Sequence, residues 1–416
     1  MRRSVRLHLE QPIGSGQLAD LYIDLSAHAR GQQQSTKIQC TSSGMSTSRS
    51  DEQSINRITD ASPTQKSRYG VVGSAVSRIG AAIDSKALVR TLTALFPLIV
   101  LALVSGQTKW LLVSLVTVST AIAVDRSHLA PLGVISHGIT IGAGFLVLMA
   151  SLAYPPLFVV ATALMAMGSI LVTARGSELR SLGSYTFIPV LYLACESAEG
   201  VRQSALIHRG FELLPFVLAA FLPVLLISSI NHYRERRPEV SYLAHYAKWS
   251  KRSERGDRVP YVEAMIAIAL AVGLAAALVE WRHIERGQWM IWSAASVVTG
   301  SAASARVKFR NRIAGAILGV PAGIFVGLLV PHDYFVRDLV ILAALLTLVC
   351  IRPYVMAFGT RCACAAMAFV VAGQSWTFAS ERLINVAAGS ATGLLITLAV
   401  HVIARRIERS RKPVSF

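Results

Sequence analysis

Among the ionisable side chains that fall inside, or at the ends of, long apolar blocks are Arg90, Asp125, His137, Arg175, Glu263, Arg312 and Arg352. A charge in such a place is costly, and it is kept where it binds an ion, moves a proton or meets an opposite charge. His137, whose ordinary pKa is ~6.5, has the chemistry of a proton relay. The arginines have that of an anion site, because a guanidinium grips a carboxylate through two parallel hydrogen bonds. Arg90 and Glu263 stand a few residues into the first apolar block of each half of the chain, and their opposite signs make them a candidate pair. Arg312 opens the block equivalent to the one that holds His137. An anion held at Arg312 and released as a proton exchanges at His137 would couple transport to a pH gradient. Plainer readings stand beside these. Arg90 and Glu263 can snorkel to the interface, His137 can be a hydrogen-bonded structural residue, and the arginines can anchor a cytoplasmic membrane surface.

Other chemistries lack their residues. The cysteines Cys40, Cys195, Cys350, Cys362 and Cys364 form no CxxC, and Cys362 and Cys364 lie about 200° apart on a helix, so no metal set is expected. No GxxxxGK[ST], HExxH or GxSxG occurs, and Gly14-Ser15-Gly16 lacks the lysine of a phosphate loop. Neither an enzyme nor an ATP-driven pump is expected, and no cofactor is called for.

The elements that must position the charges are membrane spans. Apolar residues make up 53% of the 416 and charged ones 15%, against about a quarter in soluble chains. From Ala87 onward the apolar residues come in blocks long enough to cross a bilayer. Six spans fit at about 87–104, 110–124, 133–153, 157–173, 184–198 and 211–230. A 28-residue basic loop at 231–258 follows, and six more spans fit at about 259–278, 289–304, 313–330, 336–351, 359–373 and 383–404. The fifth, eighth, tenth and eleventh are short for a core of ~30 Å. The expected class is therefore an all-α membrane protein of about twelve transmembrane helices, with membrane parts at 87–230 and 259–404 and a basic C-terminus at 405–416. Residues 1–68 read as a disordered basic tail with no secretory signal, and Met45 offers a second start. Residues 69–86 carry Val72, Val76, Ile79 and Ile83 at helical spacing, as in a helix lying on the membrane surface. In the central loop Tyr242, Tyr246 and Trp249, beside Lys248, Lys251 and Arg252, read as a basic amphipathic helix on anionic lipid.

The net charge of +18 has a topological explanation. With the tail cytoplasmic and the spans alternating, 33 Lys and Arg fall on its side and 7 on the other. Both termini are thus expected in the cytoplasm, and no nucleic-acid partner is needed. At a fixed offset of 177, Gly138 maps to Gly315, Gly142 to Gly319, Phe158 to Phe335, Val159 to Val336, Leu171 to Leu348 and Arg175 to Arg352. Six spans per half is an even number, so the halves read as two parallel six-helix repeats, a plan that transporters reuse with the substrate between the repeats. Gly315, Gly319, Gly323 and Gly327 follow at four-residue steps, as do Gly138 and Gly142 and then Gly389 and Gly393. Such bare stripes let helices approach closely in lipid.

These features resemble the fusaric-acid-resistance family, which includes the aromatic acid exporters. The likeness rests on the twofold set of six short spans, on Arg312-x-x-Gly315-x-x-x-Gly319, and on the last span beginning Arg382-Leu383-Ile384-Asn385-Val386-Ala387-Ala388-Gly389. It covers about 87–406. The resemblance implies a bacterial inner-membrane exporter of organic acids or toxic compounds. It also implies drive by the proton motive force and, in some members, a periplasmic adaptor subunit as partner. The expected partners are the lipid bilayer, a small organic anion and a second copy in a homo-oligomer. The alternative is a membrane assembly or interaction subunit that keeps the fold without transport. It draws on Asn385-Val386, where the family commonly has Asp-Thr.

Overall fold

The computed structural model describes residues 82–175, 179–235, 261–298 and 301–411. The expectations for the tail, for the surface helix before residue 82 and for the amphipathic helix of the central loop lie outside those residues.

Twelve helices occur among the described residues. They are α1 Ser85–Ser105, α2 Lys109–Ser127, α3 Pro131–Ser151, α4 Pro155–Leu171 and α5 Arg180–Ala198. α6, Gln203–Arg234, is a 3-10 turn and two α-helical pieces, Leu206–Ala220 and Leu222–Arg234, which meet at Phe221. After the central loop come α7 Val262–Arg282, α8 Gln288–Val297, α9 Ala302–Leu329, α10 Tyr334–Cys350, α11 Tyr354–Val371 and α12 Trp376–Arg411. Eight of the twelve, namely α1, α2, α3, α6, α7, α9, α11 and α12, are long and apolar enough to cross a membrane. Large apolar side chains on their outer faces, such as Leu103, Phe325, Leu329 and Leu395, are exposed, as a lipid solvent requires. The central loop begins later than the expected 231, since α6 runs on to Arg234, and α12 carries the last span into the basic C-terminus as far as Arg411.

Local chemistry sets the ends. Pro131 and Pro155 open α3 and α4, where a missing N–H costs nothing. Asp84 caps α1 by accepting from the Ala87 N–H at 3.1 Å, and Gly106, at φ +65°, closes it. The eighth expected span is corrected by a cap as well. Ser301 accepts from the Ser304 N–H at 3.3 Å and starts α9, so residues 302–304 belong to the next helix. That leaves α8 with ten residues, about 15 Å of helix, which cannot cross a bilayer alone.

In the first part of the bundle α3 packs on α5 and α6, α2 on α1, α5 and α6, and α4 on α5. In the second, α9 packs on α11 and α12, α8 on α7 and α12, and α10 on α11. The parts meet where α4 touches α7, α5 touches α8, and α1 and α2 touch α10. A short strap adds to that seam. Ile83 and Ile351 form an isolated antiparallel bridge, with Asp84 N–H donating to the Cys350 carbonyl at 2.7 Å and Arg352 N–H to the Ala82 carbonyl at 2.9 Å. Arg352 also pairs with Asp84 at 3.4 Å. The Ala87 N–H, and after it Arg352, hold the Asp84 carboxyl below its ordinary range.

Glycines set the closest approaches. Gly315, Gly319, Gly323 and Gly327 on α9 meet Gly359, Ala363 and Val370 on α11. Gly389 and Gly393 on α12 meet the backbone of Met290 and Ala294 on α8. Gly138 and Gly142 on α3 face the side chains of Phe221 and Leu218 on α6.

Candidate functional site

A cavity of about 450 Å³ lies at one end of the bundle, where α2, α8, α10 and α12 begin and α5 and α11 end. By the alternation of the helices this end is opposite the N-terminus of α1. The wall has two chemistries. One part is aromatic: Trp289 stacks on Trp292 with ring centroids 5.3 Å apart, Tyr192 stands 5.7 Å from Trp289, and Phe369 also lines the wall. The other is cationic, with Arg286, Arg337, Arg361 and Arg382 in the lining against Glu196 and Asp338.

The four arginines are held in different ways. Arg337 is neutralised by Asp338 at 2.8 Å. Arg286 reaches Glu199 at 3.6 Å and sits between the rings of Phe369 and Phe378, 4.3 and 4.4 Å from their centroids. Its backbone is left-handed, φ +51°, which costs a non-glycine residue about 1–2 kcal/mol and is offset by those contacts. Among the described residues Arg361 donates to Thr347, to its hydroxyl at 3.2 Å and its carbonyl at 3.3 Å. Arg382 is 3% exposed, lies 3.6 Å over Trp289, and has no partner for Nε or Nη1. Among the described residues neither Arg361 nor Arg382 has a carboxylate at ion-pair distance. A buried guanidinium with free donors is expensive unless an anion meets it. Beside stacked aromatic rings, these two make a receptor for a small anion with a flat apolar body.

The charges singled out in the sequence are dispersed. Arg90 pairs with Asp125 at 2.5 Å, in a smaller cavity of about 290 Å³ at the other end of the bundle, shared with His128, Ser228 and Asn231. Glu263 meets His401 of α12 at 2.8 Å. The expected Arg90–Glu263 pair is therefore corrected. Each side chain takes the partner offered by the helix packed beside its own, α2 for Arg90 and α12 for Glu263. Arg352 belongs to the strap, and Arg175 ends the 3-10 turn after α4. His137 is buried against Thr186 of α5, Nδ1 to Oγ1 3.2 Å, with Nε2 unpartnered. Arg312 is the eleventh residue of α9 and is buried rather than at a seam. It donates to Ser293 at 2.7 Å, Tyr354 at 3.3 Å and Ser390 at 3.4 Å, and lies 4.2 Å over Phe358. Neither His137 nor Arg312 lines the large cavity, although Arg312 is within electrostatic reach of Arg361 and Arg382. His137→Gln is accordingly expected to leave the pH profile of transport unchanged between about pH 5.5 and 8. A flattened profile in that variant would return the proton relay to His137.

Arg361 and Arg382 are not among the expected site residues: Arg382 stands just before the span at 383–404, and Arg361, two residues into the span at 359–373, is explained by the charge division as a cytoplasmic anchor. The signal was present. Arg361 is the eighth residue of a helix that starts right after Pro353, and an arginine that deep in an apolar helix is a functional candidate by default. No group of three His, Cys, Asp or Glu residues set to hold a metal occurs among the described residues.

A multi-helix membrane bundle with a charged cavity inside it is the architecture of a transporter-type protein. Residues 274–396, from α7 into α12, match the family model described as fusaric acid resistance protein-like. This segment contains every arginine of the cavity. No curated protein and no solved structure matches the chain.

Proposed function

We propose that the protein is a secondary transporter of the bacterial inner membrane that exports aromatic or other organic acids, with proton coupling and with both termini in the cytoplasm. The observation that carries this reading is the pair Arg361 and Arg382, which face an aromatic-walled cavity without carboxylate partners. Two further features support it. The helix pairs α1·α2, α2·α6, α3·α5, α3·α6 and α4·α5 recur six helices later as α7·α8, α8·α12, α9·α11, α9·α12 and α10·α11, and the crossing contacts α4·α7 and α1·α10 are reciprocal. That pattern favours two parallel repeats with the cavity on their seam. With Arg312, Arg361 and Arg382 set aside as residues inside the bundle, 31 Lys and Arg fall on the side of the N-terminus and 6 on the other, which favours an outward-facing cavity mouth.

The test is uptake of benzoate and hydroxylated benzoates into proteoliposomes under an imposed pH gradient. Uptake several times faster than into protein-free liposomes is expected, and faster with the gradient than without it. Rates equal to those of empty liposomes across the panel would overturn the proposal in favour of a non-transporting assembly subunit.

A further inference from the structure

The lining of the cavity contains one carboxyl group that no arginine neutralises by direct contact. Glu196, in the last turn of α5, accepts a hydrogen bond from the Gln288 side chain of α8 at 3.4 Å, and among the described residues it forms no ion pair. The charged and titratable groups around it are Glu199 on its own helix end, Arg286 from the α7–α8 connection, Arg382 from α12, and Tyr192 and Cys195 on α5. Arg286 is already drawn to Glu199, and Arg382 has unused donors. We infer that Glu196 is the proton-accepting group of the anion cavity, so that an organic anion binding to the arginines drives a proton onto Glu196. This rests on the reading of the cavity as an anion site and adds the residue and the sense of its coupling to protons.

The argument is electrostatic. With the cavity free, the arginines supply positive potential that stabilises Glu196 as a carboxylate. An incoming carboxylate takes up the donors of Arg382 and cancels part of that potential, and it adds a like charge inside the same half-buried space. Both effects favour the neutral form of Glu196. By linkage the converse must hold with equal strength: a protonated Glu196 leaves the arginines more positive, and the anion binds more tightly. The linkage is one of binding: anion and proton are held in the cavity together. His137 has no such link, since it lies outside the cavity.

The test is binding of benzoate, which stays ionised throughout, to the full-length protein in detergent. Calorimetry from about pH 8 to about pH 5.5, in buffers of different ionisation enthalpy, reads both the affinity and the protons taken up. For the wild type, affinity should rise as pH falls, by at most about tenfold per pH unit, the limit for one linked proton. Net proton uptake should accompany binding. Glu196→Gln should bind at pH 8 as tightly as the wild type does at pH 5.5, with no pH slope and no proton uptake. Glu196→Asp, which keeps the carboxyl, should restore the slope. A wild-type affinity that does not change with pH, or a slope that survives in Glu196→Gln, would overturn the inference and leave the anion site standing. No benzoate binding at any pH would overturn the anion site and this inference with it.

Discussion

Replacing either Arg361 or Arg382 by alanine is expected to weaken binding of an aromatic carboxylate by about 10- to 100-fold, and replacing both should abolish measurable binding and transport. A hydrogen bond to a charged group contributes about 1.5–3 kcal/mol, and each arginine offers more than one donor in a site shielded from bulk water. The two substitutions should differ in side effects. Arg361 spends part of its capacity on Thr347, so alanine there also frees the contact between α10 and α11. Arg382 is fixed chiefly by its stacking on Trp289, 3.6 Å away. Arg382→Lys should therefore recover only part of the affinity, because an ammonium keeps the charge and loses both the planar fork and the stacking. Calorimetric titration with benzoate, on variants that remain monodisperse and melt within a few degrees of the wild type, reads the effect. Wild-type affinity in the folded double variant would remove the cavity from consideration as the substrate site.

How far the sequence discloses this site depends on which interactions are local. The spans are local, because hydropathy and caps act within one segment. α3 was expected at 133–153 and is Pro131–Ser151, and α9 to α12 all contain their expected spans apart from a few terminal residues. The eighth span extends too far in the sequence because the run from Ala294 to Ala303 is uniformly small and uncharged, and the Ser301 cap divides it. The charges are not local. Arg90 and Glu263 appear complementary when the two halves are laid side by side, yet each pairs within its own part of the bundle, where the tertiary packing supplies a partner that no spacing rule contains. The cavity is the extreme case. Six helices contribute to it, and the first turns of the short α8 bring Trp289 and Trp292 to its wall, a juxtaposition that no single segment discloses.

The largest effects on assembly are expected at two glycines of α9. A Cβ at Gly319 would stand 2.2 Å from the carbonyl oxygen of Gly359, and one at Gly323 would stand 2.1 Å from that of Ala363. Both obstacles are backbone, so no rotamer change relieves them, and α9 and α11 must separate. Overpacking of this kind costs about 1–3 kcal/mol even for alanine. Leucine at either position should leave the protein misassembled. Two other glycines calibrate the series. At Gly327 the nearest atoms are Val370 Cβ at 2.9 Å, Val370 Cγ1 at 3.2 Å and Met367 Cα at 3.3 Å, all farther than the carbonyl oxygens that face Gly319 and Gly323, so alanine there should cost less. At Gly168, inside α4, nothing lies within 4 Å, and alanine should be neutral or should stabilise by up to about 1 kcal/mol through helix propensity. Thermal melting in detergent should therefore rank Gly168→Ala above wild type or level with it, then Gly327→Ala, then Gly319→Ala and Gly323→Ala. Equal melting of all four, with Gly319→Leu and Gly323→Leu as monodisperse as wild type, would show that α9 does not rest on α11 through its glycines. The same contact bears on function. α11 carries Arg361 one turn from Phe358, which packs at Gly315, so a displaced α11 takes the arginine out of the cavity. Gly319→Ala should consequently lose benzoate affinity as well as stability, although it touches no residue of the cavity wall.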